Sequence, residues 1–346
     1  MKILIHGHDN VGWSTDADAR AVSRALVELG YGVTRRPWRA DVLHSVCWSE
    51  LLTLRTLPLR LIRNVVATVA DNIEPETDVG FAKLRRWVSV WVAANRAQYA
   101  RLERAGVRVA YQPFYVDENV FRPLGLSKDT LAASLGIPVE RIKGKYIIGS
   151  FQRDTLGRDL SKPKWQKDPD LLLSILEGLP EKERWVALFT GPRRHYVIAE
   201  ATRRGIPFIY YGTPPIPGVD DILTNIQSQE RMVELYNLCD VNLVTSRLEG
   251  GPKAVIESAL CGCPVLSTPV GLAPDFLPES SLYTTKDEAI RILRERIRRT
   301  GTGHADDHVE RTREQMLTTC NYAAYKERWA KIYAEHFRAP RSGASR

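Results

Sequence analysis

The stretch E249-G-G-P-K-A-V-I-E257-S-A-L-C-G-C-P-V-L-S-T-P-V-G271 decides how the rest of the chain is read. It places Glu249 just before a Gly-Gly-Pro-Lys corner and Glu257 just inside the apolar run that follows. The preceding "DVNLVTS" is short and β-branched, which predicts a buried strand, with "RLEGG" as the loop at its carboxyl end. Pro252 suits the first position of a helix. That helix should run about ten residues to Gly262, or roughly 15 Å. In open α/β sheets ligands gather outside the carboxyl ends of strands. Free N–H groups at a helix start attract anions, and Gly250 and Gly251 allow close approach to the main chain. Pro252 has no N–H, so Gly250, Gly251 and Lys253 are the expected donors. Carboxylates accept hydrogen bonds from hydroxyls. Glu249 beside a polyhydroxylated group and Glu257 beside a ribose would account for both; the alternative is two solvated first-turn residues favoured by the helix dipole.

Working outward, the segments on either side repeat one pattern. "KYIIGSF", "RWVALFTG", "IPFIYYG", "DVNLVTS" and "PVLST" read as strands, separated by the helices "PDLLLSILEGLP", "YVIAEATRRG" and "QERMVELYNLC". The first part opens with the strand "KILIHG". The helix "DADARAVSRALVELG" follows, with Val22, Ala25, Leu26 and Leu29 at helical spacing, and then the strand "YGVTRRP". "ADVLHSV", "RNVVATVAD", "WVSVWVAAN" and "RVAYQPF" continue the series, with the helix "RAQYARLERAG" between the last two. Alternating strands and helices predict parallel sheets of the doubly wound kind. Around "VDENVFRPLGLSKDT" the apolar runs stop, and a linker is expected there. The chain therefore reads as two similar α/β halves. "NYAAYKERWAKIYAEHF" at the end is a long amphipathic helix with aromatics at helical spacing.

The 346 residues exceed what one core usually serves, and the 44% hydrophobic and 26% charged fractions are those of an ordinary globular protein. No stretch has the roughly 18 uncharged apolar residues of a membrane span. The start runs straight into a strand without a signal-peptide layout, so a cytoplasmic location is expected. The net charge of +8 favours an anionic partner. The Lys and Arg are spread along the chain without a basic block, which argues against nucleic acid as the main partner. Five scattered cysteines predict reduced, buried thiols. "HGHD" sets His6, His8 and Asp9 at a strand end, but no further ligand cluster accompanies them, and no metal is expected. "LLTLRTLPLRLIR", with Arg55, Arg60 and Arg63, and "KLRRWVSVW", with Trp87 and Trp91, admit two readings: weak peripheral contact with an anionic membrane surface, or core residues flanked by snorkelling arginines.

Glu249 and Glu257, with seven residues between them, followed by Ala259, Gly262, Pro264, Val265 and Gly271, resemble the E-x7-E signature of retaining glycosyltransferases of family 4. The resemblance implies the GT-B fold: two Rossmann-like doubly wound parallel-sheet domains facing a central cleft, with the C-terminal helix crossing back to the first domain. On that scheme residues 1–124 form an acceptor-binding domain, 125–325 a nucleotide-sugar-binding domain and 326–346 the crossover helix and tail. "KYIIGSFQRD" is similar to the strand opening the family's nucleotide-binding domain, which makes Arg153 the arginine on the donor diphosphate. Lys167 is the matching lysine, with Lys162 and Lys164 competing. "VAYQPFYVDENVFRPL" resembles the segment closing the first domain, with Asp117 and Phe121 matching and Phe114-Tyr115 in place of the usual Asn-Gly.

The implied chemistry is transfer of a sugar from a nucleotide-diphosphate sugar to a hydroxyl of a small-molecule, natural-product or cell-envelope acceptor. It proceeds with retention and without metal or other cofactor, in a monomer or homodimer. Glu257 would hold the ribose and Glu249 with the glycine corner the sugar. Gly12 would play the part of the first-domain glycine turn, and Ile226 would lie by the base. Where many members carry a histidine near the donor sugar, this sequence has Ala70 and Asp71, so Asp71 is the candidate for sugar or acceptor contact. That departure keeps a catalytically silent or epimerase-like sugar-nucleotide-binding protein as the second reading, and the basic net charge keeps a nucleic-acid binder as the third.

Overall fold

The computed structural model describes the chain apart from residues 8–13, 54–56, 158, 300–306 and 338–346. Its contacts divide into two compact units: Met1–Tyr115 with Glu249–Gly251 and Thr318–Arg346, and Val116–Leu248 with Pro252–Leu317.

The first unit alternates strands and helices: β1 (Lys2–His6), α1 (Ser14–Glu28), β2 (Gly32–Val33), β3 (Val42–Ser45), α2 (Leu57–Arg60), β4 (Asn64–Val69), α3 (Val79–Leu84), β5 (Val90–Ala93), α4 (Arg96–Arg104) and β6 (Val109–Tyr111). The strands pair in parallel in the order β2-β1-β3-β4-β5-β6. Helices on both faces bury β3 and β5 completely, which is why β5 reads as an unbroken apolar run without alternation, while β3 buries the polar His44 and Ser45 as well. The strand expected over "YGVTRRP" shrinks to two exposed residues at the sheet edge. Trp91 is fully buried on β5, with the Phe81 and Trp48 rings 5.1 and 6.1 Å away. The Trp87 indole N–H donates to the Ile62 carbonyl at 3.0 Å. Trp91 is therefore structural and the lipid-facing reading of it is corrected, while Trp87 is half-buried. Arg55 lies outside the described residues.

The second unit holds α5 (Lys128–Leu135), β7 (Tyr146–Ser150), β8 (Thr155–Leu156), β9 (Asp159–Pro163), α6 (Pro169–Gly178), β10 (Trp185–Thr190), α7 (His195–Arg203), β11 (Phe208–Tyr211), α8 (Gln229–Leu238), β12 (Val241–Val244), α9 (Lys253–Leu260), β13 (Val265–Ser267), α10 (Ala273–Phe276), α11 (Lys286–Arg298) and α12 (Asp307–Thr319). Its parallel sheet runs β11-β10-β7-β12-β13 over a core that includes Trp185, Phe189, Leu243 and Leu266. β8 and β9 form a small antiparallel hairpin where the sequence suggested only a loop. Helix α9 begins one residue later than expected, with Pro252 at the extended N-cap position. It ends at Cys261, and Gly262 reverses the chain at φ +73°, a left-handed conformation that suits glycine. No cysteine is bridged, and Cys239, Cys261, Cys263 and Cys320 are buried.

Asn321 caps the last helix, α13 (Tyr322–His336), by accepting from the Ala324 N–H at 2.7 Å. Tyr325, Trp329, Ile332 and Tyr333 bury one of its faces in the first unit against Ile3, Val22, Leu26 and Val42, so the crossover helix implied by the sequence resemblance is present. The fully buried His44 of β3 sits under this face. Its Nδ1 is 2.9 Å from the Tyr333 hydroxyl, and its ring centroid is 4.7 Å from that of Trp329. Burial holds the imidazole neutral, with its pKa lowered to about 3. A histidine whose folded pKa lies below its unfolded value contributes stability that is complete above the unfolded pKa and is lost as the pH falls toward the folded one. Below the ordinary value of 6.5, unfolding free energy should fall with decreasing pH on account of His44, the slope approaching about 1.4 kcal/mol per pH unit near pH ~5. Urea denaturation of the wild type and of His44→Gln across this window should show that component in the wild type only.

Candidate functional site

In the second unit, β7 leads through α6 to β10 on one side, while β12 pairs with its other side. This reversal of strand order opens a crevice outside the carboxyl ends of β7 and β12, the usual ligand position of doubly wound sheets. Three loops meet there. After β12, the Ser246 hydroxyl donates to Gln152 Oε1 at 2.7 Å, fixing the turn that carries Arg153. The Thr245 hydroxyl donates to the Lys167 carbonyl at 3.1 Å, and the N–H groups of Arg247 and Leu248 donate to the Gln166 carbonyl at 2.9 and 3.3 Å. Behind them the Thr268 hydroxyl, just past β13, donates to the Ser246 carbonyl at 2.6 Å. The Lys164 N–H donates to the Asp154 carbonyl at 2.6 Å, tying the lysine-bearing segment directly to the Arg153 turn. Arg153, Lys164 and Lys167 are all partly buried. Lys162 belongs to the exposed hairpin, 3.2 Å from Asp159, which separates it from its two competitors.

Asp168 anchors this arrangement. It stands at φ +44°, a left-handed position that aspartate tolerates better than most residues, and caps α6 by accepting from the Leu171 N–H at 3.3 Å. Its other oxygen accepts from Arg247 Nε at 2.5 Å.

Glu257 projects from the second turn of α9, four residues after Lys253 and so on the same helix face. Its Oε2 accepts from the Tyr236 hydroxyl at 2.9 Å. Burial pushes the carboxyl above its ordinary pKa, opposed by the Tyr236 hydrogen bond and the Lys253 charge. The Tyr236 ring meets Phe151 edge-on at 5.1 Å and Phe121 at 6.4 Å. Phe151 is two residues before Arg153, so the Glu257 support and the Arg153 turn share one aromatic contact. Ile226 is exposed on the β11 side of the sheet, after Asn225. That residue's buried side chain donates to Asp221 Oδ2 at 2.7 Å and to the Thr213 carbonyl at 2.9 Å.

Other expected residues fall in the first unit. Gly250 O accepts from Asn95 Nδ2 at 2.7 Å. A Cβ on Gly250 would lie 2.6 Å from the carbonyl of Ala70 and 2.8 Å from the nitrogen of Asp71, so here the close approach is to the chain itself. Asp71 Oδ1 accepts from the Trp48 indole N–H at 2.6 Å, and burial pushes its carboxyl up. Glu249 and Gly251 belong to the same unit. Gly12, with His8 and Asp9, lies outside the described residues.

Sequence reasoning missed a buried polar group beneath the Arg153 turn. Asp154 and Arg194 are 2% and 1% exposed, with Arg194 Nε 3.8 Å from Asp154 Oδ2. The same oxygen accepts from the Val197 N–H at 3.0 Å at the start of α7. Burial raises the Asp154 carboxyl to about 7 against the pull of Arg194. The available signal was a charged residue four positions after each of two buried strands, in "FQRD" and "TGPRRHY".

Residues 161–297 match the family of glycosyl transferases group 1. Solved structures match almost the whole chain. HepE from Anabaena, solved with UDP and glucose, superposes with a TM-score of 0.71 at 16% identity, covering 97% of this chain and 100% of its own. Sucrose-phosphate synthase from Thermosynechococcus elongatus gives a TM-score of 0.71 at 13% identity, with 98% and 99% covered. The fold is GT-B. A glycosyltransferase from Rickettsia africae superposes with a TM-score of 0.67 at 15% identity, covering 98% of this chain and 99% of its own. No curated protein sequence matches. Within this GT-B chain the group 1 match takes in Lys162, Lys164, Lys167, Ile226 and the whole of the Glu249–Glu257 stretch, while Arg153 precedes it.

Because Asp168 both caps α6 and holds Arg247, Asp168→Ala should lower the unfolding free energy by about 1–2 kcal/mol, and Asp168→Asn, which keeps the cap, by less than half of that. Urea denaturation of the two variants checks the ordering.

Proposed function

We propose that the chain is a retaining, metal-independent glycosyltransferase of the cytoplasm, moving a sugar from a nucleotide-diphosphate sugar to a hydroxyl of a small-molecule or cell-envelope acceptor. The observation that carries this reading is the lacing of the Arg153 turn to the Lys167 segment at the switch point of the second sheet. Two cationic residues on segments held by backbone and side-chain bonds at that place suit a diphosphate. Their charge would count most as the sugar–phosphate bond breaks and negative charge gathers on the leaving group. Glu257, held by Tyr236, would accept from the two ribose hydroxyls. Lys253 would add charge, and Glu249 with Gly250 and Gly251 would hold the sugar. Gly12 would approach the donor phosphates, Ile226 would flank the base, and Asp71 of the first unit would serve the acceptor side. Positioning the acceptor hydroxyl supplies the remainder of the rate. HepE, whose fold this chain shares, has been solved with UDP and with UDP-glucose, which favours a uridine donor as the first to try.

The second reading is a sugar-nucleotide binder without transfer. It is favoured by Asp71, which stands where related enzymes carry a histidine and whose carboxylate is engaged by Trp48. Acceptor-dependent release of nucleoside diphosphate separates the two.

Calorimetric titration of UDP, GDP, ADP and TDP should find one that binds. Arg153→Ala and Glu257→Ala should each weaken it about ten- to a hundred-fold, the range for losing a hydrogen bond to a charged group. Absence of binding by all four would overturn the proposal.

The ribose role also has a pH signature. Glu257 must be ionised to accept two hydroxyls, and its pKa lies above the ordinary carboxylate value. Binding should therefore weaken on acidification, beginning above the usual carboxylate range. Tyr236→Phe removes an influence that lowers this pKa, so the weakening should move to higher pH in that variant. Titrations across pH 5–8 check the direction.

A further inference from the structure

The amino-terminal edge of the first unit's sheet has a chemistry the proposed reaction does not use. In a parallel sheet every strand starts at the same edge, so the turns before β3, β4, β5 and β6 become neighbours. Contacts join them in series. Helix α2 lies beside the turn Pro37–Arg39. The Asn64 amide donates to the Asp41 carbonyl at 3.2 Å, the Trp87 indole to the Ile62 carbonyl at 3.0 Å, and the Ser89 hydroxyl to the Arg63 carbonyl at 3.2 Å. Arg85 Nη2 donates to the Ala105 carbonyl at 3.4 Å.

Residues 34–41, 60–64, 84–89 and 104–108 together contain nine arginines and one acidic residue, Asp41. The Asp41 carboxylate accepts from the Lys2 N–H at 2.7 Å. Arg36, Arg39, Arg63, Arg85, Arg86 and Arg108 are exposed. Between the ends of α3 and α4 a surface groove of about 820 Å³ is lined by Arg85, Arg86, Ser89 and Arg108, among others. Two large apolar side chains project from the same edge: Trp38, 75% exposed, and Leu61, 70% exposed. Sheet topology has thus collected a dispersed charge into one basic strip and set an aromatic and an aliphatic side chain within it.

We propose that this edge docks on an anionic lipid surface, with Trp38 and Leu61 entering the headgroup layer and the arginines meeting lipid phosphates. Tryptophan favours that interface, and arginine stems tolerate partial burial there while their guanidinium groups stay at the phosphates. Each cation near such a surface contributes an attraction that lapses within about 10 Å at 0.1 M salt. A nucleic acid would also use the arginines, but the exposed Leu61 beside a single exposed tryptophan suits a lipid interface better than a platform for stacked bases. The inference is independent of the reaction proposed above.

The test is co-sedimentation of the full chain with phosphatidylcholine vesicles, alone or with roughly 30% phosphatidylglycerol, at about 0.1 M salt. Binding is expected only with phosphatidylglycerol. Replacing Arg85, Arg86 and Arg108 together by alanine should lower the partition coefficient about a hundred-fold, at about five-fold per cation. Trp38→Ala, with every cation retained, should lower it about ten-fold. Unchanged circular dichroism and thermal unfolding would establish that these surface variants fold. Failure to sediment with phosphatidylglycerol, or sedimentation indifferent to both variants, would overturn the proposal. So would tighter binding to single-stranded RNA that ignores Trp38→Ala.

Discussion

β7 and β12 lie side by side in the second unit, yet the chain leaves β7 toward β10 and reaches β12 only after building β10 and β11 on the other flank. Right-handed crossovers on opposite sides of this pair send the following segments apart and leave the carboxyl ends uncovered. The lacing of Gln152 to Ser246 and of Gln166 to Arg247 and Leu248 depends on that reversal, since it brings together segments about eighty to ninety residues apart in sequence. Asp168 secures the arrangement by capping a helix with one carboxylate oxygen and holding Arg247 with the other. The cationic turn at Arg153 is thus a product of topology more than of local sequence.

Much of this is legible in the sequence. The strands of both sheets follow from apolar runs, and the helix after Pro252 from the Pro-Lys corner and the terminal Gly262. The misses have physical causes. β8 is two residues long and β9 is mostly exposed, so the hairpin carries no hydrophobic alternation to read. Trp91 looked available to a lipid surface because a strand buried on both faces has no polar face to reveal its burial. Asp154 and Arg194 are forty residues apart, and their burial follows from sheet pairing that no local pattern encodes. Gly250 predicts a close approach, and the group that approaches here is the Ala70–Asp71 backbone.

Parallel sheets separate chemistry by edge. The carboxyl end of the second unit's sheet gathers Arg153, Lys167 and the residues that orient them. The amino end of the first unit's sheet gathers arginines around two exposed apolar side chains. A net charge that looks dispersed along the sequence therefore becomes local, because strand order decides which turns are neighbours. The C-terminal helix adds a different constraint: its Trp329 and Tyr333 cover His44, which the first unit keeps neutral in its core.

The most direct test of the central claim, that the β7–β12 crevice holds the donor diphosphate, is amide hydrogen exchange of the full chain with and without saturating UDP. The account predicts slowed exchange in peptides spanning 150–168 and 245–257, with the first unit's strands β3 to β5 unchanged. Slowed exchange confined to other regions, with those two segments unaffected while UDP is bound, would contradict it.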